Sequence, residues 1–258
     1  MADTLDPIET DPVKRAQVHS APQLPKRFYK EATMAERDGA YHLLLDGRSA
    51  RTPGKNPLAV KNEAFANGLA KDWNAQKDSI NPATMPFTRL ANSAIDGVAI
   101  ALDPVAEEVS NFAKTDLLFY RAGQPEELVA LQSQHWDPLL DHFKTRHQAR
   151  FLLAEGIMYV EQPEDSVARI SELISAYKKD PLCLAGLQVM TSIAGSVLIA
   201  LAVAKNVLSV DAAWQAAHVD EDWNVSQWGS DEEAQARRMY RRNEFDVAHM
   251  AAAALSDE

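Results

Sequence analysis

The chain has 258 residues, 46% of them apolar and 24% charged, and a formal net charge of −11. This length and composition are typical of a folded globular protein with one or two domains and a sizeable core. The acidic surface repels nucleic acid and anionic lipid, so nucleic-acid binding is not expected and cationic or apolar partners are favoured. The single cysteine, Cys183, excludes an intrachain disulfide and lies in an apolar run, which predicts a small buried side chain.

Residues 1–26 show little apolar periodicity and are predicted to form a tail or an arm on the surface. They carry Asp3, Asp6, Glu9 and Asp11, unlike an Arg-rich organelle presequence. They also lack the apolar block of a secretory signal.

A strand-like pattern follows. Residues 28–33 and residues 41–45 are predicted strands, and Asp46-Gly47 predicts a hairpin turn because both central residues of a type I′ turn need a positive φ. Residues 48–52 are the predicted return strand. This part of the chain therefore predicts a small β-rich region.

The pattern changes to a helical one after Asn62. Phe65, Leu69 and Trp73 repeat at four-residue steps, as an amphipathic helix requires. Further helices are predicted over residues 88–101 and from Pro163 to Lys179. Another is predicted to begin with Asp103 as its N-cap and Pro104 in its first turn, and to run towards Lys114. A fourth is predicted to begin at Pro125 and to be interrupted at Trp136-Asp137-Pro138. The interruption is expected because proline cannot continue the hydrogen-bond ladder.

Two apolar segments have more than one interpretation. Residues 151–160 are predicted to be a strand or a buried connection. Residues 181–204 contain no charged residue and are long enough to span a bilayer. Polar residues such as Gln188 and Thr191 lower their hydropathy, so a central core helix is predicted and membrane insertion is not expected.

Together these patterns predict an α+β fold with a small β-rich domain before a larger, mainly helical domain. The predicted divisions are a tail or arm over residues 1–26, a β-rich domain with one helix over residues 27–85, and a helical domain over residues 86–258. The chain is expected to be a monomer.

The sequence contains no phosphate-binding glycine loop, nucleophile elbow or His-Glu-x-x-His motif, and no cysteine pair for a structural zinc site. The best metal candidate is His135 with His142 and Asp141, but Pro138 and neighbouring leucines favour packed histidines. No metal and no cofactor are therefore expected.

Charged clusters near the end of the chain have structural explanations. Ser230 and Glu233 have the spacing of a capping box, so the acidic run there is predicted to begin a helix. Arg237, Arg238, Arg241 and Arg242 lie at helical spacing and are predicted to form a salt-bridged, solvated face with Glu232 and Glu233.

Trp214, Glu221 and Trp228 lie seven residues apart, so they would share one stripe in a continuous helix. A carboxylate between two indoles is costly to bury without a partner. Glu221 either caps a neighbouring element or faces outward in a binding surface, where tryptophan is common.

Short motifs follow one another from Lys26 to the last helix. They are Lys26-Arg27-Phe28-Tyr29-Lys30, Leu45-Asp46-Gly47-Arg48, Arg51-Thr52-Pro53, Leu69-Ala70-Lys71-Asp72-Trp73 with Gln76, Pro82-Ala83-Thr84-Met85-Pro86, Leu90-Ala91-Asn92, Ala94-Ile95-Asp96, Thr115-Asp116-Leu117-Leu118-Phe119-Tyr120-Arg121-Ala122, Trp136-Asp137-Pro138-Leu139-Leu140, Asp220-Glu221-Asp222-Trp223, Trp228-Gly229 and Glu232. In this order they resemble a mitochondrial and α-proteobacterial family of assembly chaperones for the catalytic head of ATP synthase.

The resemblance implies a protein that binds the free α subunit and prevents its aggregation until a β subunit replaces it. Because no nucleotide motif is present, release is expected through competition by β, without ATP and without enzyme activity. The candidate partner-binding residues are Trp73, Trp223 and Trp228, with Glu221 and Glu232 as directing charges. Core packing is the alternative for each tryptophan. The front of the chain favours a bacterial cytoplasmic location over the mitochondrial matrix that a eukaryotic member would occupy.

Two other functions stay open from the residues alone. One is an enzyme with an unrecognised carboxylate or histidine site, which a deep pocket with convergent acids would favour. The other is a peripheral membrane or structural protein, suggested by the uncharged run.

Overall fold

The computed structural model describes residues 24–253, so most of the tail or arm predicted for residues 1–26 lies outside the described residues. The chain is described from Leu24, and the Pro25 carbonyl accepts a hydrogen bond from the Ile80 N–H at 2.8 Å.

A small antiparallel sheet comes first. Its strands are β1 (Ala32–Arg37), β2 (Ala40–Leu45), β3 (Arg48–Ser49) and β4 (Ala59–Val60), and β2 pairs with the other three. The turn at Asp46-Gly47 is confirmed, since both residues have positive φ, 48° and 79°.

The first strand begins at Ala32 and not at residue 28, and the return strand is shorter than the predicted 48–52. The Asp46 carboxylate explains the late start. It accepts the backbone N–H groups of Lys30 and Glu31 at 2.9–3.1 Å, so those groups are bonded to a side chain and not to a neighbouring strand.

Helices dominate the rest of the described chain, which confirms the α+β class with strands before helices. They are α1 (Glu63–Asn74), α2 (Pro86–Asp96), α3 (Leu102–Asn111), α4 (Glu126–His147), α5 (Glu164–Ser175), α6 (Pro181–Ala194), α7 (Val197–Ala204), α8 (Val210–Ala217), α9 (Val219–Trp228) and α10 (Glu232–Ala252). A short parallel pair, β5 (Tyr120–Arg121) and β6 (Ala154–Glu155), flanks α4 in the sequence.

The predicted interruption at Pro138 was wrong, because α4 runs unbroken through it. Pro138 removes one donor, but tertiary packing holds the helix on both sides of it. Trp136, Leu139 and Phe143 are buried, and Trp136 Nε1 donates to the Ala216 carbonyl at 2.7 Å.

Most of residues 181–204 are buried, as predicted, but they form two helices and not one. Gly195, with φ of +64°, ends α6, and the Ser196 hydroxyl caps α7 by accepting the Ile199 N–H at 3.0 Å. No helix in the part of the chain that the structure describes is long and apolar enough to cross a membrane. Cys183 is buried as predicted, and burial raises the pKa of its thiol to about 12.

Helix α6 lies at the centre of the helical packing, against α2, α3 and α10. Gly186 permits the close approach of α10, since a Cβ there would lie 2.5 Å from the Ala248 carbonyl oxygen. The start of α3 differs from the prediction by two residues. Its N-cap is Ala101, and Asp103 lies in the first turn, where it pairs with Lys178 at 2.8 Å.

Candidate partner-binding surface

Four of the five predicted partner-binding residues lie on α9 and at the start of α10. Glu221, Trp223 and Trp228 are in α9, and Glu232 begins α10. We call these four residues the corner surface. The fifth residue, Trp73, lies near the end of α1.

The predicted stripe of Trp214, Glu221 and Trp228 in one helix was wrong. The chain breaks at His218, so Trp214 belongs to α8 and the other two belong to α9. Trp214 is buried, with its ring 3.9 Å from that of His218 and 5.8 Å from that of Phe245. Trp214 is therefore a core residue.

Glu221 is exposed, so the cost of burying its charge does not arise. Its carboxylate lies 3.9 Å from both His218 Nε2 and Arg238 Nη1. Arg238 makes a closer ion pair, at 2.5 Å, with Asp222. Burial lowers the pKa of His218, an effect that the Trp214 carbonyl and the Glu221 carboxylate oppose. Glu221 thus has only long contacts inside the protein and is available to a partner.

Trp228 is the most exposed tryptophan of the corner surface, at 87%. It ends α9, and Gly229 then turns the chain with φ of +76°. Trp223, one turn earlier, is half-buried. An indole so exposed costs free energy in water unless a partner covers it.

The first turn of α10 holds Glu232, which is exposed. The predicted capping box was misplaced by one residue, because Asp231 and not Ser230 is the N-cap. Its carboxylate accepts the Ala234 N–H at 2.6 Å. This leaves Glu232 free of the capping role, at the positive end of the helix.

Three of the four arginines of α10 are ion-paired, as predicted for a salt-bridged face, and two of these three pair with other helices. Arg241 differs, because it donates to the Ile193 carbonyl at 2.8 Å. Arg237 pairs with Glu233 at 3.0 Å, and Arg242 pairs with Asp211 of α8 at 2.5 Å and with Asp246 at 2.7 Å. These bonds join α10 to the neighbouring helices and fix the corner.

Trp73 has different surroundings. Its ring lies 5.4 Å from that of Tyr29, whose hydroxyl donates to the Trp73 carbonyl at 2.7 Å. The indole is half-buried, and its N–H is buried without an acceptor in residues 24–253. With the exposed Phe28, Trp73 lines a groove of about 600 Å³ beside the sheet, which Arg48 and Arg51 also line.

The buried carboxylates are occupied in holding helices. Asp116 accepts the N–H groups of Leu118 and Leu198 at 3.1 Å, and burial raises its pKa to about 6. Asp72 accepts the Thr88 N–H at 2.8 Å, and burial raises its pKa to about 6 as well. Among residues 24–253, no group of three or more His, Cys, Asp or Glu side chains is placed to hold a metal ion.

The sequence patterns missed one exposed feature. Residues 151–160 were predicted to be a strand or a buried connection, but they form an exposed loop with only Ala154 and Glu155 in a strand. Ile157 is 95% exposed and Met158 is 74% exposed. Apolar composition alone does not distinguish a buried segment from an exposed one. The sequence of residues 151–160 therefore carried no signal that this segment is exposed.

Known proteins resemble the chain in both sequence and structure. The family model of the ATP12 chaperone protein matches residues 26–144. Atp12 from Paracoccus denitrificans is 34% identical, with a TM-score of 0.79 over 89% of this chain and 98% of that one. A protein from Agrobacterium tumefaciens described as a candidate chaperone is 44% identical, with a TM-score of 0.85 over 95% of this chain and 92% of that one. The mitochondrial protein atp12 of Schizosaccharomyces pombe is 22% identical over 221 residues, 81% of this chain and 75% of that protein.

An α+β fold shared with proteins named as chaperones defines the class as a chaperone. The Paracoccus relative is matched over nearly its whole length at an identity that shows common family. The chain belongs to the ATP12 chaperone family.

Proposed function

We propose that the chain, an ATP synthase assembly chaperone by its family, binds the free α subunit of the catalytic head and prevents its aggregation until the β subunit replaces it. The observation that carries this proposal is Trp228, whose side chain is 87% exposed and which belongs to the corner surface with two exposed acids, Glu221 and Glu232.

The corner surface has the composition of a protein-binding site. Tryptophan is enriched among the residues that contribute most of the binding free energy of protein interfaces. Polar residues around such an anchor orient the bound partner. A free subunit exposes the apolar area that its neighbours later cover, and such area aggregates. A complementary chaperone surface covers it reversibly, provided that the β subunit binds more tightly.

Release by competition, independent of ATP, is the second part of the proposal. The sequence contains no phosphate-binding loop. The buried acids Asp72 and Asp116 each accept backbone N–H groups of helical segments. These bonds give both carboxylates a structural role and not a catalytic one. In this proposal the chain acts as a monomer in the cytoplasm.

The test is co-purification of the α subunit with Glu221→Lys and Trp228→Ala variants, without nucleotide. We expect both variants to lose at least about tenfold in affinity, as hot-spot truncation does. The thermal melts should stay as in the wild type, because Trp228 is exposed and the Glu221 contacts are 3.9 Å long.

The matched control is Glu172→Lys on α5, an equally drastic charge change at a side chain that is 69% exposed. It should bind as the wild type does. A wild type that leaves the light scattering of refolding α subunit unchanged would end the proposal. A collapsed melt of Glu221→Lys would instead make that residue structural.

A further inference from the structure

The loop of residues 151–160 between α4 and α5 displays apolar side chains to solvent. Of the twelve large hydrophobic residues that are exposed in residues 24–253, five belong to this one loop. They are Leu152, Leu153, Ile157, Met158 and Tyr159, exposed by 50%, 49%, 95%, 74% and 63%. Clustered exposure of this kind marks interaction sites, whereas single exposed apolar residues are ordinary.

Buried polar side chains hold the base of the loop in place. The Gln162 amide accepts the Leu152 N–H at 2.8 Å and donates to the Leu152 carbonyl at 3.0 Å. The Ser166 hydroxyl does the same for Arg150, at 2.8 Å and 2.7 Å. Both side chains are almost fully buried, so the base is fixed while the tip points away from the core.

Two further contacts fix the direction of the loop. The Phe151 ring stacks on Phe119 with centroids 4.6 Å apart. Strand β6 pairs with β5, and the Gly156 N–H donates to the Arg121 carbonyl at 2.9 Å. The apolar tip is therefore held outward by its supports.

The loop is connected to the corner surface through Gln132. The Ala122 N–H, next to β5, donates to Gln132 Oε1 at 2.8 Å. The Gln132 amide then donates to Asp220 in α9 at 2.7 Å, one residue before Glu221. Since Gln132 is buried, these two bonds are shielded from water and connect the end of β5, which supports the loop, to the first turn of α9.

The charge of the loop and of its flanking residues in the sequence favours a basic protein partner over an anionic membrane, and Lys114, which lines a cavity with Tyr159 and Glu161, offsets only one of the negative charges. Residues 150–165 contain four acids, Glu155, Glu161, Glu164 and Asp165, and one cation, Arg150, a net charge of −3 (1 − 4). An anionic bilayer repels such a flank, whereas an apolar cleft with a rim of Lys or Arg attracts it.

We propose that this loop is a second point of contact with the client, and that Ile157 and Met158 insert into an apolar, cation-rimmed cleft of the free α subunit. The inference rests on the proposed function. The corner surface presents Trp228 at the end of α9, and the loop adds a second, protruding contact that Gln132 connects to the start of that helix. Two separated contacts raise affinity because the second forms within an already bound pair.

The experiment measures binding of the full-length chain to the α subunit with Ile157→Asp/Met158→Asp. The matched control is Ile100→Asp, since Ile100 is 84% exposed elsewhere on the molecule. We expect the loop variant to bind at least tenfold more weakly, with an unchanged thermal melt, and the control to bind as the wild type does. A photo-crosslinking residue at position 157 should also give a product with the α subunit.

The outcomes separate the two proposals. If the wild type does not bind the α subunit, the proposed function fails. If the wild type binds and Glu221→Lys does not, while the loop variant binds fully, only the inference on the loop fails. The inference also fails if the Ile100→Asp control loses as much affinity as the loop variant. It fails as well if the wild type sediments as a dimer and the loop variant does not, or if the wild type floats with neutral phosphatidylcholine vesicles.

Discussion

At the scale of single residues, the five aromatic and acidic positions that the sequence selected have different surroundings. Trp228 and Glu221 are exposed and fit a binding role, whereas Trp73 packs against Tyr29 with only part of its ring accessible. The Trp73 indole N–H is buried without an acceptor in the described part of the chain. An unpaired buried donor lowers stability, so within residues 24–253 Trp73 contributes through its ring and not through an indole hydrogen bond.

Replacing Trp73 tests that interpretation. We expect Trp73→Phe to change the free energy of unfolding by less than about 1 kcal/mol, because removal of the unpaired N–H offsets the smaller ring. Trp73→Ala should cost about 3 kcal/mol, because it deletes the ring that lies against Tyr29. Urea denaturation measures both. A Phe variant as unstable as the Ala variant would show that the indole N–H has a stabilising partner.

At the scale of elements, close packing between helices decides what local patterns leave open. Helix α4 passes through Pro138 because buried side chains hold it on both sides. Helices α6 and α10 approach each other at Gly186, where no side chain has room. Glycine lowers helix propensity by about 1 kcal/mol, so its presence within α6 is explained by this contact.

We expect Gly186→Ala to destabilise the protein by about 1–3 kcal/mol despite the better helix propensity of alanine, because the new Cβ overpacks the core. The Cβ would lie 2.5 Å from the Ala248 carbonyl oxygen. Denaturant midpoints give the measurement. Ser192→Ala, on the exposed side of the same helix, is the control and should shift stability by no more than about 0.5 kcal/mol. Equal stability of Gly186→Ala and the wild type would rule out the close contact.

At the scale of the whole molecule, stability depends on pH through a carboxyl group in the core. Asp116 joins the segment before β5 to α7 by accepting the Leu118 and Leu198 N–H groups. Burial raises its folded-state pKa from 3.8 to about 6. Such a group contributes stability below its unfolded pKa, and this contribution is lost as the pH rises through the folded pKa.

The difference in stability between the wild type and Asp116→Asn isolates this group from all others. We expect the wild type to lose stability relative to the variant as the pH rises from about 4 to 6, by about 3 kcal/mol at most (roughly 2 pH units at 1.36 kcal/mol each). Urea unfolding of both proteins at several pH values measures it. A difference that is constant over that range, or that grows in the opposite direction, would contradict a raised pKa.

The division into domains near residue 85 stays a prediction. Helices α1 and α2 lie on either side of that point and pack against each other. Arg89, just after it, forms an ion pair with Glu244 of α10.

The sequence by itself determined the features that depend on neighbouring residues. Asp46-Gly47 specified a turn because few residues adopt positive φ, the spacing of Phe65 and Leu69 specified a helix, and the uncharged run of residues 181–204 specified core. The ordered motifs also led to the correct family. Only the tertiary structure decided that Trp214 is buried while Trp228 is exposed, that α4 continues through Pro138, and that residues 151–160 face solvent. The physical reason is that burial depends on which distant elements pack over a side chain, and that information is absent from any local pattern.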